Sequence, residues 1–363
     1  SEVHHARPGR LWRPPFRYLT VCALVVALLL SLLLLKPPPA ASHVRTATQP
    51  PPAKCAATFR VGFLTDVAGL DSSEEAQGWT GAQRAAGRHA CLVVELLRPG
   101  DPGSYQAALQ LLSDRDDLVI AGSFLLTDAV TAAAAAKPSG RFLLLDPLLM
   151  PAPRSNLAVI SFREDQAGFL AGALAAMVTR TKVLGGVYGP EGGAMTRYRK
   201  GFETGAATID PAITVLGVYQ PAADGRPFGN AEWGQEQARS WLSRGADVIF
   251  GAGGSTGEAA LLPAAESHRY CIGSGGDEFL TVPSARACLL SSALIHPDQA
   301  VETAILSAAD GNWTSGSHAF GIQEGAVGLA PLHQFDATVG AATRARLSSL
   351  GEELSRGQFL EGN

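Results

Sequence analysis

The sequence predicts an α/β chain of two doubly wound, parallel-sheet lobes joined by a hinge. One observation is the alternation of short apolar runs with helical periodicity along most of its 363 residues, the pattern of parallel sheets covered by helices. Another is residues 156–207, NLAVISFREDQAGFLAGALAAMVTRTKVLGGVYGPEGGAMTRYRKGFETGAA, which read as strand, helix, strand, helix. A third is the size: 46% of residues are hydrophobic, ample for two cores at ~100–200 residues per domain.

In that stretch residues 157–162 form an apolar run, the mark of a strand buried on both faces. Asp165 can cap the next helix, where Phe169, Leu170, Leu174, Ala175 and Met177 recur at helical spacing. Gly168, Ala171 and Gly172 allow close packing there. Residues 182–188 are a second strand, opening into Gly189-Pro190-Glu191-Gly192-Gly193, a turn that puts backbone N–H groups at a helix start.

From the beginning, residues 1–17 carry Arg7, Arg10, Arg13 and Arg17 and no acid after Glu2. Residues 18–35 follow without a charge, near the ~20 residues that span a bilayer. The basic flank keeps the N-terminus cytoplasmic. Two fates are open: an uncleaved transmembrane anchor, or a signal peptide cut near Ala40-Ala41-Ser42. The length favours the anchor and a cell-membrane protein with its folded part outside the cytoplasm; cleavage would make it secreted. Neither Cys22 nor Cys55 sits in a lipobox. Residues 36–56 are a Pro/Ala-rich tether.

Strands then fall at residues 58–65, 90–96, 117–121 and 141–145, with helices at 74–90, 105–113 and 128–137. Beyond the central stretch, strands fall at 213–219, 247–250 and 269–273, with a helix at 234–244. Residues 287–292 are expected to return to the first lobe, 297–310 to be a helix there, and 325–329 to cross back. The expected division is thus 57–163 and 278–318 for the first lobe, 164–277 and 319–335 for the second, and 336–363 as a tail. About three crossings describe a clamshell with its ligand in the cleft.

Three blocks resemble the basic membrane protein family, the PnrA-like nucleoside-binding receptors of ABC importers: VGFLTDVAGLD from Val61, SFREDQAGFLAGALAAM from Ser161 and GADVIFGAGGSTG from Gly245. The similarity spans residues 60–332. It implies the type I periplasmic-binding fold, a small-molecule ligand, an ABC permease as partner, no cofactor and no catalysis. The family follows its first strand with Ser-Phe-Asn-Gln; here Glu74-Glu75-Ala76-Gln77 stands, with Gln77 and Trp79 retained. The family's Ser-Phe-Asp-Asp turn corresponds to Pro227-Phe228-Gly229-Asn230, which keeps the stacking Phe. Its Val-Asp-Ser-Asp-Gln turn, whose first Asp holds ribose hydroxyls, corresponds to Ser274-Gly275-Gly276-Asp277-Glu278, and only Asp277 remains.

Candidate ligand contacts are therefore Asp66 and Asp71 after the first strand, Gln77, Trp79, Phe124, Phe228, Gly253, Gly254 and Asp277. Each has a plainer role: capping or an Asx turn for the Asp residues, core for Trp79, loop packing for the glycines. Arg163 and Asp165 open a helix at the hinge, where they pair with each other or reach the cleft. Cys55 with Cys91 and Cys271 with Cys288 lie on neighbouring strands and form two disulfides of an exported domain, or stay buried thiols. Net charge is −4, which gives no footing for nucleic acid. No Gly-x-Ser-x-Gly, His-Glu-x-x-His, Walker loop or Cys-x-x-Cys occurs, so an enzyme has no supporting motif. The rival to transport is a membrane-anchored sensor of the same fold with an altered or lost ligand.

Overall fold

The computed structural model describes Cys55 and residues 57–360, except Ser72. The first lobe is built from β1 (Phe59–Leu64), α1 (Ser73–Arg88), β2 (Leu92–Leu97), α2 (Tyr105–Ser113), β3 (Leu118–Ala121), α3 (Thr127–Ala136), β4 (Phe142–Leu145) and β5 (Leu157–Phe162). The chain then enters the second lobe. Its elements are α4 (Glu164–Val178), β6 (Val183–Pro190), α5 (Gly193–Ile209), β7 (Thr214–Gln220), α6 (Ala231–Ser243) and β8 (Val248–Ala252). There follow α7 (Gly254–Ala260), α8 (Leu262–Glu266), β9 (Tyr270–Gly275), α9 (Glu278–Thr281) and β10 (Leu289–Ile295). Helix α10 (Pro297–Ala309) and β11 (Gly316–Phe320) return to the first lobe; β12 (Val327–Leu329) and α11 (Asp336–Ser355) end in the second.

Each lobe holds a six-stranded sheet, ordered β11-β5-β4-β3-β1-β2 and β12-β10-β9-β8-β6-β7. The first is parallel throughout. In the second only β12 runs antiparallel, beside β10. Strands β3, β4 and β5 are buried at every residue, as strands covered on both faces must be. Phe63, Phe142, Phe162, Phe202 and Phe250 are fully buried, each stabilising its lobe by about 1.5–3 kcal/mol relative to exposure.

Helix α4 is the most buried helix near the hinge, apolar nearly all round. It crosses α5 at contact of their backbones. A Cβ on Gly172 would stand 2.0 Å from the Phe202 carbonyl oxygen, and one on Gly205 2.0 Å from that of Phe169. The four glycines Gly168, Gly172, Gly201 and Gly205 thus form a reciprocal groove.

The strand predicted at 287–292 to join the first lobe belongs to the second sheet. Leu289 is in register with Cys271, and Ser292 with Gly273. The Cys271–Cys288 disulfide ties its start to β9, and the crossing comes afterwards, at His296. Residues 278–295 therefore go with the second lobe, not the first. Helix α10 does lie in the first lobe, held to α1 by Arg84 to Asp298 and Glu302 at 2.8 and 2.9 Å and by Arg88 to Glu302 at 2.8 Å. Two elements were not foreseen. Strand β11, GSHAF, is too short and polar to read as a strand, and forms because β5 offers it a free edge. Residues 336–355, taken as tail, are α11, which closes an apolar cluster of Phe169, Leu170, Leu350 and Leu354. The second disulfide, Cys55–Cys91, joins the start of β1 to the start of β2.

Among the described residues no helix is long and apolar enough to cross a membrane. The apolar segment 18–35 lies outside them.

Candidate functional site

A cavity of about 290 Å³ lies between the lobes, where the carboxyl ends of the strands of both sheets converge. That is the ligand position of open α/β sheets, and the volume is near the lower end of the ~300–1,000 Å³ of ligand pockets. The first lobe contributes Glu74 and Gln77 from α1, Phe124 after β3, and Asp146, Pro147 and Leu148 after β4. The second contributes Glu164, Ala194, Met195, Tyr198, Phe228, Gly253, Gly254, Glu258, Ser274, Gly275 and Glu278.

Of the residues expected to meet a ligand, Gln77, Phe124, Phe228, Gly253 and Gly254 line this cavity. Phe124 and Phe228 come from opposite lobes and touch, with ring centres 5.5 Å apart and planes at 60°. A base sandwiched between two parallel rings needs about 7–8 Å, twice the usual carbon contact. The rings therefore meet each other, and a planar ligand has to part them or lie beside them. Phe228 has φ +61°, a left-handed conformation that costs a bulky residue energy. Its N–H donates to Gln220 Oε1 at 3.1 Å, and its carbonyl accepts from Thr256 N at 3.2 Å and Ser255 Oγ at 3.3 Å. These bonds aim the ring inward. Gly253 and Gly254 let the backbone pass close by: a Cβ on Gly254 would meet the Phe228 carbonyl oxygen at 2.8 Å.

Asp66, Trp79 and Asp277 sit elsewhere. Asp66 is buried and ties two loops together, accepting from Ala68 N at 2.7 Å and Ser123 Oγ at 2.9 Å. Asp71 ends the short 3₁₀ turn Gly69–Asp71. Trp79 is 5% exposed and packs edge-on against Phe63 in the first lobe's core. Asp277 caps α9 by accepting from Phe279 N at 3.2 Å, and its other oxygen is 2.8 Å from His333 Nε2. Arg163 and Asp165 make a two-bonded pair, 2.9 and 2.8 Å, at the hinge.

The residues that sequence reasoning missed are acids. Glu74, Asp146, Glu164, Glu258 and Glu278 all line the cavity, and among the described residues no Lys, Arg or His does. Arg197, on α5, reaches two of them from beside it, at 2.5 Å to Glu164 and 3.2 Å to Asp146. Burial, and then Glu164, push the Glu74 carboxyl up to about 8. Burial does the same to Glu278, again to about 8. Asp146 is raised well above the carboxylate range by burial, Glu164 and Glu74. Burial raises Glu164 and Glu258 as well. A Glu in a turn reads in sequence as a solvated charge, so only the Glu74-Glu75 departure from the family pattern hinted at this.

The profile of the PnrA-like ABC transporter substrate-binding proteins, Bmp, matches residues 59–350. The chain belongs to the Bmp family of PnrA-like ABC transporter substrate-binding proteins. Among curated relatives, the CD4+ T-cell-stimulating antigen of Listeria monocytogenes is 27% identical over 296 residues, covering 76% of this chain and 81% of that one. The ABC transporter nucleoside-binding protein BmpA of Lactococcus lactis is 28% identical over 39% of this chain and 38% of its own. Among solved structures, a solute-binding protein of an ABC transporter from Aeropyrum pernix aligns with TM-score 0.67 at 20% identity, over 83% of this chain and 92% of that one. A transcriptional activator of the comK gene from Bacillus halodurans aligns with TM-score 0.69 at 17% identity, over 83% and 100%. These likenesses establish the two-lobed periplasmic-binding architecture. The Bmp family is a family of ABC transporter substrate-binding proteins.

Proposed function

We propose that this Bmp protein is the extracytoplasmic receptor of an ABC importer, tethered by its N-terminal apolar segment. It would take a nucleoside or a related polar aromatic molecule into the interlobe cavity and present the closed form to a permease. The observation that carries this is the pair Phe124 and Phe228, one from each lobe, facing a cavity at the carboxyl ends of both sheets. Aromatic faces are how proteins grip bases. Gln77, beside them, supplies an amide that can both donate and accept. The Lactococcus relative's name points the same way.

Binding that closes the lobes shifts an open–closed equilibrium, and the permease needs only to recognise the closed form. The rival reading, a membrane-anchored sensor of the same fold, gains from one observation. Gly275 stands where the family reads ribose hydroxyls, and Asp277 is occupied by His333.

Thermal unfolding of the full-length chain in mild detergent, with nucleosides, free bases, sugars and amino acids, separates the two. A ligand at a hundred times its Kd stabilises by about 2.7 kcal/mol. A nucleoside that raises Tm in the native chain, and fails to in Phe228→Ala, supports the receptor. If no compound of any class raises Tm, the transport reading falls and the sensor reading takes its place.

A further inference from the structure

We propose that the cavity selects a cationic ligand, an aromatic ring system bearing a protonated amine, with Glu74, Glu258 and Glu278 as its counter-charges. The inference rests on the reading of the cleft as the ligand site and names the substrate class it takes.

Acidic groups outnumber basic ones around the cavity. Five carboxyl groups line it and one guanidinium, Arg197, answers Asp146 and Glu164. Glu74, Glu258 and Glu278 have no ion pair among the described residues, and Arg226 and the other second-lobe cations do not line the cavity. The second observation is independent of that count. Glu278 is 5% exposed and its Oε2 has no hydrogen-bond partner; its Oε1 accepts from Ser274 N at 3.1 Å. Leaving a buried carboxyl oxygen unsatisfied is costly, and buried charge is normally paired. A protonated amine entering the cavity would give that oxygen a donor and draw the proton off its carboxyl.

The walls decide what kind of cation. Phe124, Phe228, Leu148, Met195 and Ile295 give the cavity a largely apolar surface. Among the described residues no three His, Cys, Asp or Glu side chains stand close enough to hold a metal ion. An organic cation uses both parts: its ring lies against the phenylalanines, its ammonium beside the acids. Cation–π attraction to either ring favours an ammonium held over its face.

The raised carboxyls give the idea a pH signature. Glu258 and Asp277 face Glu278, and Asp277 is paired with His333. Glu164, Asp146 and Glu75 face Glu74, with Arg197 beside them. Without a cation Glu74 and Glu278 hold protons into the neutral range; a bound ammonium favours their ionised forms. Binding a cation then releases protons, and affinity rises as pH climbs from about 6 to about 8. A neutral ligand that accepts hydrogen bonds from protonated carboxyls does the reverse.

Isothermal titration calorimetry on the full-length chain, with adenosine, 3′-amino-3′-deoxyadenosine, tryptamine and Ca²⁺, tests this. Repeating it in two buffers of different ionisation enthalpy counts the protons. The expected result is at least tenfold tighter binding of the aminonucleoside than of adenosine at pH 7, with proton release. Glu278→Gln and Glu258→Gln should each bring that ratio down toward one. Proton release in the native chain stands even where a variant fails to fold. Adenosine binding as tightly as the aminonucleoside, without proton release, overturns the cationic selectivity and leaves the receptor reading intact. Tryptamine binding without either nucleoside supports the cation and overturns the nucleoside. Ca²⁺ competing with the amine, and lost in both variants, overturns the organic cation in favour of a metal. Binding by none of the four overturns both readings.

Discussion

Glu278 shows how much a single side chain can decide. Its backbone N–H donates to Ser292 Oγ at 3.1 Å, its Oε1 accepts from Ser274 N at 3.1 Å, and the residue lines the cavity. Burial holds that carboxyl at about 8, against an unfolded value near 4.5. The native state therefore binds the proton more tightly than the unfolded chain. Stability from this group is complete below about pH 4.5 and declines as pH rises to about 8. Glu74 and Glu75, both raised to about 8 by burial, push in the same direction. The ligand-free chain should lose Tm between pH 5 and pH 8. Glu278→Gln keeps an oxygen for Ser274 N–H and removes the titration. Its Tm should match the native chain at pH 5 and exceed it at pH 8, by the equivalent of at least ~1.4 kcal/mol, one pKa unit's worth. A variant that is no more stable at pH 8 would show that the carboxyl is not held protonated. The sequence could not have announced this residue. Phe228 stood out as an aromatic alone in a polar Gly/Pro loop, and its ring does line the cavity. Glu278 sat in a turn of glycines and acids that reads as solvated, and burial is a property of the assembled lobes.

At the level of elements, what the sequence made plain were the segments whose period is set by two buried faces. Residues 157–162 are β5 and 105–113 are α2, because an uninterrupted apolar run and a 3.6-residue stripe have few other uses. The small residues noted in the central helix also have their reason: Gly168 and Gly172 lie against the carbonyl oxygens of Tyr198 and Phe202. Elements that depend on a partner distant in sequence were invisible. Strand β11 exists by pairing with β5, more than 150 residues earlier, and α11 has a weak stripe broken at Gly340. The helix crossing supports a quantitative expectation. Gly205→Ala forces a methyl toward the Phe169 carbonyl oxygen, 2.0 Å away, with backbone that cannot turn aside. Overpacking of this kind costs about 1–3 kcal/mol, and chemical denaturation should show it as a lower midpoint at unchanged slope. Gly87→Ala at an exposed position of α1, where a Cβ meets nothing within 4 Å, is the control. It should be neutral or stabilise by up to ~1 kcal/mol. Equal effects at the two sites would mean that α4 and α5 are not in backbone contact.

Across the whole molecule, the lobes are joined by three crossings, after Phe162, after Ile295 and between β11 and β12. Three strands cannot stretch independently, so the natural motion is hinge bending about that bundle. Two side-chain links also span the cleft: Phe124 to Phe228, and Asp146, at the end of β4, to Arg197 on α5 at 3.2 Å. Both hold the lobes together. Neither is strong by itself, since a ring pair contributes about 0.5–1.5 kcal/mol and a partly exposed ion pair less. A closure equilibrium needs only a few kcal/mol to move. Asp146→Ala combined with Phe228→Ala should therefore open the ligand-free molecule. Small-angle scattering would record a larger radius of gyration and maximum dimension than the native chain gives, while circular dichroism stays the same. If the double variant scatters like the native chain, the crossings alone set the lobe angle. A ligand would then have to work against the hinge strands rather than against two surface contacts.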